Sequence, residues 1–251
     1  MLKIIELSRS GTSKYIVNKN IFLSEDDLSF YLLGAYMTDG NICDTKHRIS
    51  FSLSSKDKEW IEAVRNFIAP NKPIYSSKSS ECYIFDTSNI EGMNWLISFG
   101  CSPRKSKTLE IVGDIPEKYH PDFIRGVIDG DGSISTCKYK KKLKNDKENW
   151  YDKTTVYICS ASRIFLEQIQ KMIPENINCN ICKVTQKDSF IRGRKVSATC
   201  DQYRLAFNDS NAKKLLAWTY YTDNKLSMIR KQEKAESIAT KNNCLKNDSN
   251  V

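Results

Sequence analysis

Hydrophobic residues follow a helical period in some segments of the chain and a strand period in others. The first such segment is a predicted helix, which begins at a capping box of Ser24 and Asp27, runs to about Thr38 and stops at Asp39-Gly40. Apolar and polar residues alternate over 49–54, as in a strand that buries one face. The elements predicted next are a helix over about 55–68, strands near 72–77 and 82–87, and a helix near 89–99.

The same arrangement is predicted a second time, beginning with a helix over 121–129. The elements after it are strands near 133–138 and 154–159, a helix near 162–173, strands near 182–188 and 200–207, and a helix near 209–221. Each half has the order αββαββα, and each sheet is apolar on one side only. Because helices must cover that side, we predict an α+β fold with two pseudo-symmetric antiparallel sheets, each open on its other side.

Four segments follow from this repeat. The halves are assigned to 24–114 and 115–231. Residues 1–23 form an N-terminal extension outside the repeat, and residues 232–251 form a polar tail that should be frayed.

The repeat is clearest in two nine-residue motifs, LLGAYMTDG at 32–40 and IRGVIDGDG at 124–132. A glycine in the middle of a helix costs about 1 kcal/mol relative to alanine. Two such glycines at equivalent positions, 92 residues apart, predict that the two helices pack with their backbones almost touching. The residues predicted at this interface are Gly34, Ala35, Gly126 and Val127.

Each motif ends in Asp-Gly, which places Asp39 and Asp131 at the C-termini of the two helices. A carboxylate there faces unfavourable carbonyl dipoles, so it is a poor choice for stability. A single Asp-Gly is usually only a turn, but two copies at equivalent places favour a site for a hard divalent cation such as Mg²⁺. The main-chain oxygens of Thr38 and Gly130 are further candidate ligands.

Composition narrows the class of protein. The chain has 251 residues, of which 40% are hydrophobic, so wholesale disorder is excluded. No apolar run approaches the ~20 residues that span a bilayer, and no signal peptide is evident, so we expect an intracellular protein without a membrane partner. Nine scattered cysteines, with one close pair at Cys179 and Cys182, favour free thiols in a reducing compartment over a metal site.

Positive charge is concentrated in two segments. The net charge is +9, which indicates a polyanionic partner. Seven lysines against three acids give +4 over 136–153, and six basic residues against two acids give +4 over 183–204. A charge run is usually a solvated loop, and these two alone would only weakly favour contact with nucleic acid.

The two nine-residue motifs resemble the paired signature of LAGLIDADG homing endonucleases in their single-chain form. Gly at the third position, Asp at the eighth and Gly at the ninth stand in both copies. The departures are Leu33, Met37, Thr38, Arg125 and Gly130, at positions that we expect to tune helix packing. The run SPRKS at 102–106 resembles the end of the first repeat in this family, so the resemblance spans about 24–231.

The resemblance implies a monomer whose two sheets form a saddle over double-stranded DNA. Asp39 and Asp131 would hold Mg²⁺, for which Mn²⁺ can substitute, between two scissile phosphates across the minor groove. The protein would hydrolyse both phosphodiesters at a long asymmetric site, leaving 5′ phosphates and short 3′ overhangs. A basic residue is also implied near each centre, and by position these catalytic residues are Lys105 and Lys225.

The same resemblance places both lysine-rich segments on the saddle, which makes DNA contact the favoured interpretation. The residues predicted to bind DNA are Arg48, Ser50 and Ser52 in the first half and Lys138, Lys140, Lys141, Lys142, Lys144, Arg192, Arg194, Lys195 and Arg204 in the second.

Two alternatives come from other functional classes. Some proteins of this family are maturases that bind intron RNA, and others are DNA-binding proteins that no longer cleave; retention of both Asp39 and Asp131 argues against lost activity. An endonuclease domain of an intein is disfavoured, because the chain starts with Met and does not end in His-Asn. The expected setting is the cytoplasm of a bacterium or phage-infected cell, or an organelle.

Overall fold

A computed structural model describes residues 7–9, 15–77, 81–142, 148–184, 189–191, 194–196, 200–221 and 224–247. Of 7–9, 141–142, 148–149, 189–191, 194–196 and 240–247 it describes the backbone alone. The helices are α1 (Asn20–Leu23), α2 (Asp27–Thr38), α3 (Lys58–Ile68), α4 (Ile90–Ser98), α5 (His120–Asp131), α6 (Arg163–Met172), α7 (Asp209–Thr219) and α8 (Ile229–Asn247). The strands are β1 (Leu7–Arg9), β2 (Ile16–Asn18), β3 (Gly40–Cys43), β4 (Arg48–Ser54), β5 (Tyr75–Ser77), β6 (Cys82–Ser88), β7 (Gly132–Lys142), β8 (Glu148–Ser160), β9 (Asn180–Val184), β10 (Ser189–Ile191), β11 (Arg194–Val196) and β12 (Gln202–Asn208).

Two four-stranded antiparallel sheets form the frame of the protein, one in each half. The first has the strand order β3-β4-β6-β5 and the second β7-β8-β12-β9, so corresponding strands occupy corresponding places. The hairpin β10–β11 is inserted between β9 and β12 along the chain. The predicted α+β class and the order αββαββα in each half are confirmed.

Each sheet buries one face against helices. In β4, Ile49, Phe51 and Leu53 are buried and the residues between them are not. In β12, Leu205 and Phe207 are buried and again alternate with more exposed residues. The other side of each sheet is termed its open face, and the residues that alternate with these buried ones lie there.

The extension at 1–23, predicted to lie outside the repeat, contributes to the core of the first half. Phe22 is fully buried, and its ring lies 5.9 Å from that of Tyr36 and 5.8 Å from that of Trp95. Val17 and Ile21 are buried as well. This short segment therefore covers one side of α2 and α4.

The N-cap of α2 is Asp26, not the predicted Ser24. The Asp26 carboxylate accepts a hydrogen bond from the Ser29 amide at 3.0 Å, and the Ser29 hydroxyl accepts one from the Asp26 amide. Ser24 instead turns its hydroxyl to the main-chain oxygen of Ile21. β5 also starts later than predicted, at Tyr75, since a proline at 73 has no amide to give to the ladder.

The tail after 232 was expected to be frayed, and this expectation is wrong for its described part. Residues 229–247 form α8, and Ala235 and Ile238 are each only 4% exposed. The start of this helix packs against the centre of the molecule through Met228, which is 2% exposed. Within the described part of the chain, no helix is long and apolar enough to cross a membrane.

Candidate active site at the ends of two helices

Helices α2 and α5 touch along their backbones. A Cβ atom added at Gly34 would lie 2.2 Å from the carbonyl oxygen of Phe123, and one added at Gly126 would lie 2.1 Å from that of Tyr31. Such distances leave no room for any side chain on either glycine. The contact includes the four residues predicted for it, Gly34, Ala35, Gly126 and Val127, together with the main chains of Tyr31 and Phe123.

The contact brings the ends of the two helices together. Asp39 caps the C-terminus of α2, and Asp131 is the last residue of α5. Beside them, a Cβ at Gly130 would lie 2.0 Å from the Thr38 hydroxyl. Burial and then repulsion by Asp39 raise the pKa of Asp131 to about 6. Burial also raises the pKa of Asp39, with a contribution from the charge of Asp57.

Lys105 lies beside this pair of acids. It follows α4 in a short turn, and only 7% of the residue is exposed. Its ammonium group donates a hydrogen bond to the main-chain oxygen of Gly40, the residue after Asp39. Burial lowers the pKa of Lys105, whereas the charges of Cys101, Asp131 and Asp39 act in the opposite direction. The structure therefore places this predicted lysine at the candidate site.

Lys225, the other predicted lysine, lies elsewhere. Its half-exposed ammonium group pairs with Asp27 and, at 3.6 Å, with Asp26. Asp26 is the N-cap of α2 and Asp27 its first residue, and a helix of this length is about 18 Å long. Lys225 is thus at the opposite end of α2 from Asp39, and its assignment to the site is corrected.

Lys231 takes the place that was predicted for Lys225. It lies in the first turn of α8 and is 5% exposed. Its ammonium group donates to the main-chain oxygens of Ile128 and Asp129 at 2.6 Å and to that of Gly130 at 3.2 Å. Burial lowers the pKa of Lys231 to about 8. Its charge in turn works against the rise in the pKa of both Asp39 and Asp131.

Asp131→Asn should stabilise the metal-free protein at pH 7. Folding raises the pKa of Asp131 from its ordinary 3.8 to about 6, so stability from this group is complete below 3.8 and is lost as the pH rises through 6. The carboxylate is crowded by its neighbours, but the residue keeps part of its surface in water, which screens the charge. We therefore expect a gain of about 1 kcal/mol, or roughly 2–4 °C in Tm. Thermal unfolding in EDTA measures it. The gain in stability should shrink near pH 4. A loss of stability at pH 7 would contradict the raised pKa of Asp131 in the folded protein.

The open faces of the sheets carry several of the predicted DNA-binding residues. Arg48, Ser50 and Ser52 alternate with the buried residues of β4, and Arg48 pairs with Asp86 at 3.2 Å. In the second half, Arg204 alternates with buried Leu205 and lies 4.3 Å from the centre of the Tyr157 ring. These four predicted residues therefore share the open side of the two sheets.

The lysines of the β7–β8 hairpin divide between its two faces. Ile134 pairs with Val156 on the buried face, and alternation puts Lys138 and Lys140 on that same side. Lys140 there lies 5.1 Å from the centre of the Trp150 ring. The open side of the hairpin instead carries Tyr139, Tyr151 and Lys153. Lys138 and Lys140 thus face away from the surface that was predicted to bind DNA.

The remaining predicted DNA contacts lie partly or wholly outside the described residues. Lys144 and Arg192 are not described at all, and the side chains of Lys141, Lys142, Arg194 and Lys195 are not described.

Solved structures similar to this chain are LAGLIDADG homing endonucleases. They include I-LtrWI bound to target DNA (11% identity, 85% of this chain and 90% of that chain, TM-score 0.51). The meganuclease I-SmaMI bound to uncleaveable DNA gives 13% identity over 85% of this chain and 91% of the other, with a TM-score of 0.51. I-AabMI bound to uncleaved DNA is 11% identical over 87% of this chain and 91% of the other, again with a TM-score of 0.51. No protein-family model and no curated protein matches the sequence. The fold implied by the two motifs is thereby confirmed.

Proposed function

Given its single-chain LAGLIDADG endonuclease fold, we propose that this protein is a sequence-specific endonuclease that makes a double-strand break in DNA. One observation carries the proposal: Asp39 and Asp131 lie at the touching ends of α2 and α5, one acid from each half. The structural neighbours were solved with DNA bound, which supports a duplex as the substrate.

The donor atoms at the helix ends suit a hard divalent cation. Among the described residues, no group of three or more acidic, histidine or cysteine side chains could hold a metal ion. Mg²⁺ commonly takes only one or two carboxylates and keeps several waters. Asp39 and Asp131, with the main-chain oxygens of Thr38 and Gly130, are the proposed ligands. When bound, Mg²⁺ (or Mn²⁺) would lower the pKa of water and neutralise phosphate charge.

Lys105 and Lys231 would supply the two cationic groups of the site. Both ammonium groups are buried and are held by main-chain oxygens next to an acid. With a pKa of about 8, Lys231 stays mostly protonated at pH 7. Positive groups held in advance stabilise negative charge that develops on phosphate oxygens during hydrolysis. Hydrolysis that breaks the bond to the 3′ oxygen would leave the proposed 5′ phosphates.

We propose that the open faces bind the duplex, because two-stranded ribbons fit the major groove. Lys153 is on the open side of the β7–β8 hairpin, and Lys138 provides a matched control on the other side. Lys153→Gln should make the log–log salt dependence of binding shallower by about 0.9, whereas Lys138→Gln should leave it unchanged. Fluorescence anisotropy over a salt series measures both slopes. Equal slopes for the two variants would contradict this assignment of faces.

The endonuclease proposal is tested with a randomised double-stranded library. The protein is incubated with the library in Mg²⁺ and, in parallel, in EDTA, and the ends produced are sequenced. We expect breaks at one asymmetric motif in Mg²⁺ only. Selective binding without breaks would favour a DNA-binding protein, and selective binding of intron RNA alone would favour a maturase; either result would overturn the proposal.

A further inference from the structure

A fully buried carboxylate lies two residues before the end of α5. Asp129 is 0% exposed and accepts three hydrogen bonds, from the hydroxyl groups of Tyr31 at 2.7 Å and Tyr220 at 2.6 Å and from the amide of Met228 at 2.8 Å. Burying a carboxylate is costly unless donors satisfy it, and these donors do. The role assigned to the acids at the helix ends does not account for this residue.

The bond to Met228 fixes the place where α8 begins. Met228 directly precedes α8, and its carbonyl oxygen accepts from the amide of Lys231 at 2.9 Å. The Lys231 ammonium group returns to the main-chain oxygen of Asp129 at 2.6 Å. The carboxylate and the main chain of one residue thus hold both ends of the first turn of α8.

Arg125, one helical turn earlier on α5, holds the segment between α7 and α8 at a second point. It is 1% exposed, and its guanidinium group donates to the main-chain oxygens of Leu226 at 3.1 Å and Thr219 at 3.0 Å. Asp122 balances its charge at 2.8 Å. Two buried charged side chains of α5 therefore fasten the segment that links α7 to α8.

The first half lacks this arrangement. Its motif carries Met37 at the position equivalent to Asp129, and Met37 is buried as an ordinary apolar residue. Lys105 reaches the site from the turn after α4 and bonds to Gly40. Packing of the two motif helices therefore does not require a carboxylate at this position.

We propose that Asp129 is a positioning residue, which holds the first turn of α8 so that the Lys231 ammonium group lies at the C-terminus of α5 beside Asp131. The placement of Lys231 does not depend on what the protein does. Its effect on DNA cleavage rests on the proposed endonuclease function.

Three variants separate positioning from stability. Asp129→Leu has a similar size and no acceptor. Asp129→Asn keeps one oxygen for the Met228 amide. Tyr31→Phe is the matched control, because it removes one donor to the carboxylate and leaves the Met228 bond intact.

The measurement is the rate of reductive methylation of Lys231 in the full-length folded protein, followed by mass spectrometry. Lys231 should react at least about tenfold faster in Asp129→Leu than in the wild type, and within about twofold of the wild type in the other two variants. If Asp129→Leu does not fold, Asp129→Ala, which also lacks an acceptor, makes the same test. Unchanged protection of Lys231 in a folded variant without the acceptor would overturn the proposal.

Cleavage gives a second, separate readout. Asp129→Leu should accumulate nicked DNA in place of double-strand breaks, whereas Tyr31→Phe should keep the wild-type ratio of products even where its Tm falls. An exposed Lys231 with no cleavage in any protein, wild type included, would support the positioning role and overturn the endonuclease.

Discussion

Asp39→Asn and Asp131→Asn should each abolish double-strand cleavage while specific binding stays within about tenfold, or ~1.4 kcal/mol. Each substitution keeps the size of the side chain and removes the charge that would hold a divalent cation. The acids lie at the ends of α2 and α5, whereas the surface proposed to bind the duplex is formed by the open faces of the sheets, which carry Arg48 and Arg204. Binding by gel shift in Ca²⁺ and cleavage in Mg²⁺ measure the two effects separately.

Asp57→Asn is the control for this experiment. Asp57 is close enough to raise the pKa of Asp39, but its carboxylate is engaged by Arg230 at 2.6 Å. An amide can still accept that hydrogen bond, so cleavage should stay within about threefold of the wild type. Near-normal cleavage by either Asp39→Asn or Asp131→Asn would refute their assignment as ligands.

Gly126→Ala should destabilise the protein by about 2 kcal/mol or more. The new methyl group would overlap the carbonyl oxygen of Tyr31, which belongs to the backbone of α2 and cannot turn away. Overpacking of this kind costs about 3 kcal/mol, and a gain of about 1 kcal/mol in helix propensity offsets part of it. A fall in Tm of roughly 4–8 °C is expected, and calorimetry measures it.

Ala35→Gly is the matched control at the same contact. It removes a methyl group on α2 without creating an overlap, so its expected cost is mainly the helix propensity of about 1 kcal/mol. If Gly126→Ala were no more destabilising than Ala35→Gly, the two helices would not be in backbone contact in solution.

The central helices could be predicted from the sequence because the repeat constrains them twice. Gly34 and Gly126 occupy equivalent places in two motifs, and only close packing explains a glycine in both. The same repeat located Asp39 and Asp131. The residues that the two motifs share were therefore accessible from the sequence.

Lys231, the last residue assigned to the second half, could not be found in this way, because it lies on α8, which is not part of the repeated order αββαββα. The structure reveals a signal that was available: Met228, Lys231, Ala235 and Ile238 are spaced by three, four and three residues. Such spacing puts the lysine on the apolar face of a helix, where a charged group needs a partner. The average polarity of the tail does not reveal this apolar face, because averaging discards the spacing of the apolar residues.

The hairpin lysines illustrate a different limit. Summed charge over 136–153 located a basic ribbon but could not say which lysines share a side. Strand register decides this, because neighbouring residues point to opposite faces. Pairing of Ile134 with Val156 fixes the register and moves Lys153, not Lys138, to the open side.

We propose that each half contributes one acid to the cleavage of one strand of the same duplex. The most direct test maps the ends of both strands at nucleotide resolution after cleavage of the site selected from the library, with the wild type and with the double variant Asp39→Asn, Asp131→Asn. We expect one cut in each strand, with 5′ phosphates and a short 3′ overhang, and no cut with the double variant. Cuts that persist in the double variant, or that fall at scattered positions in the wild type, would contradict it.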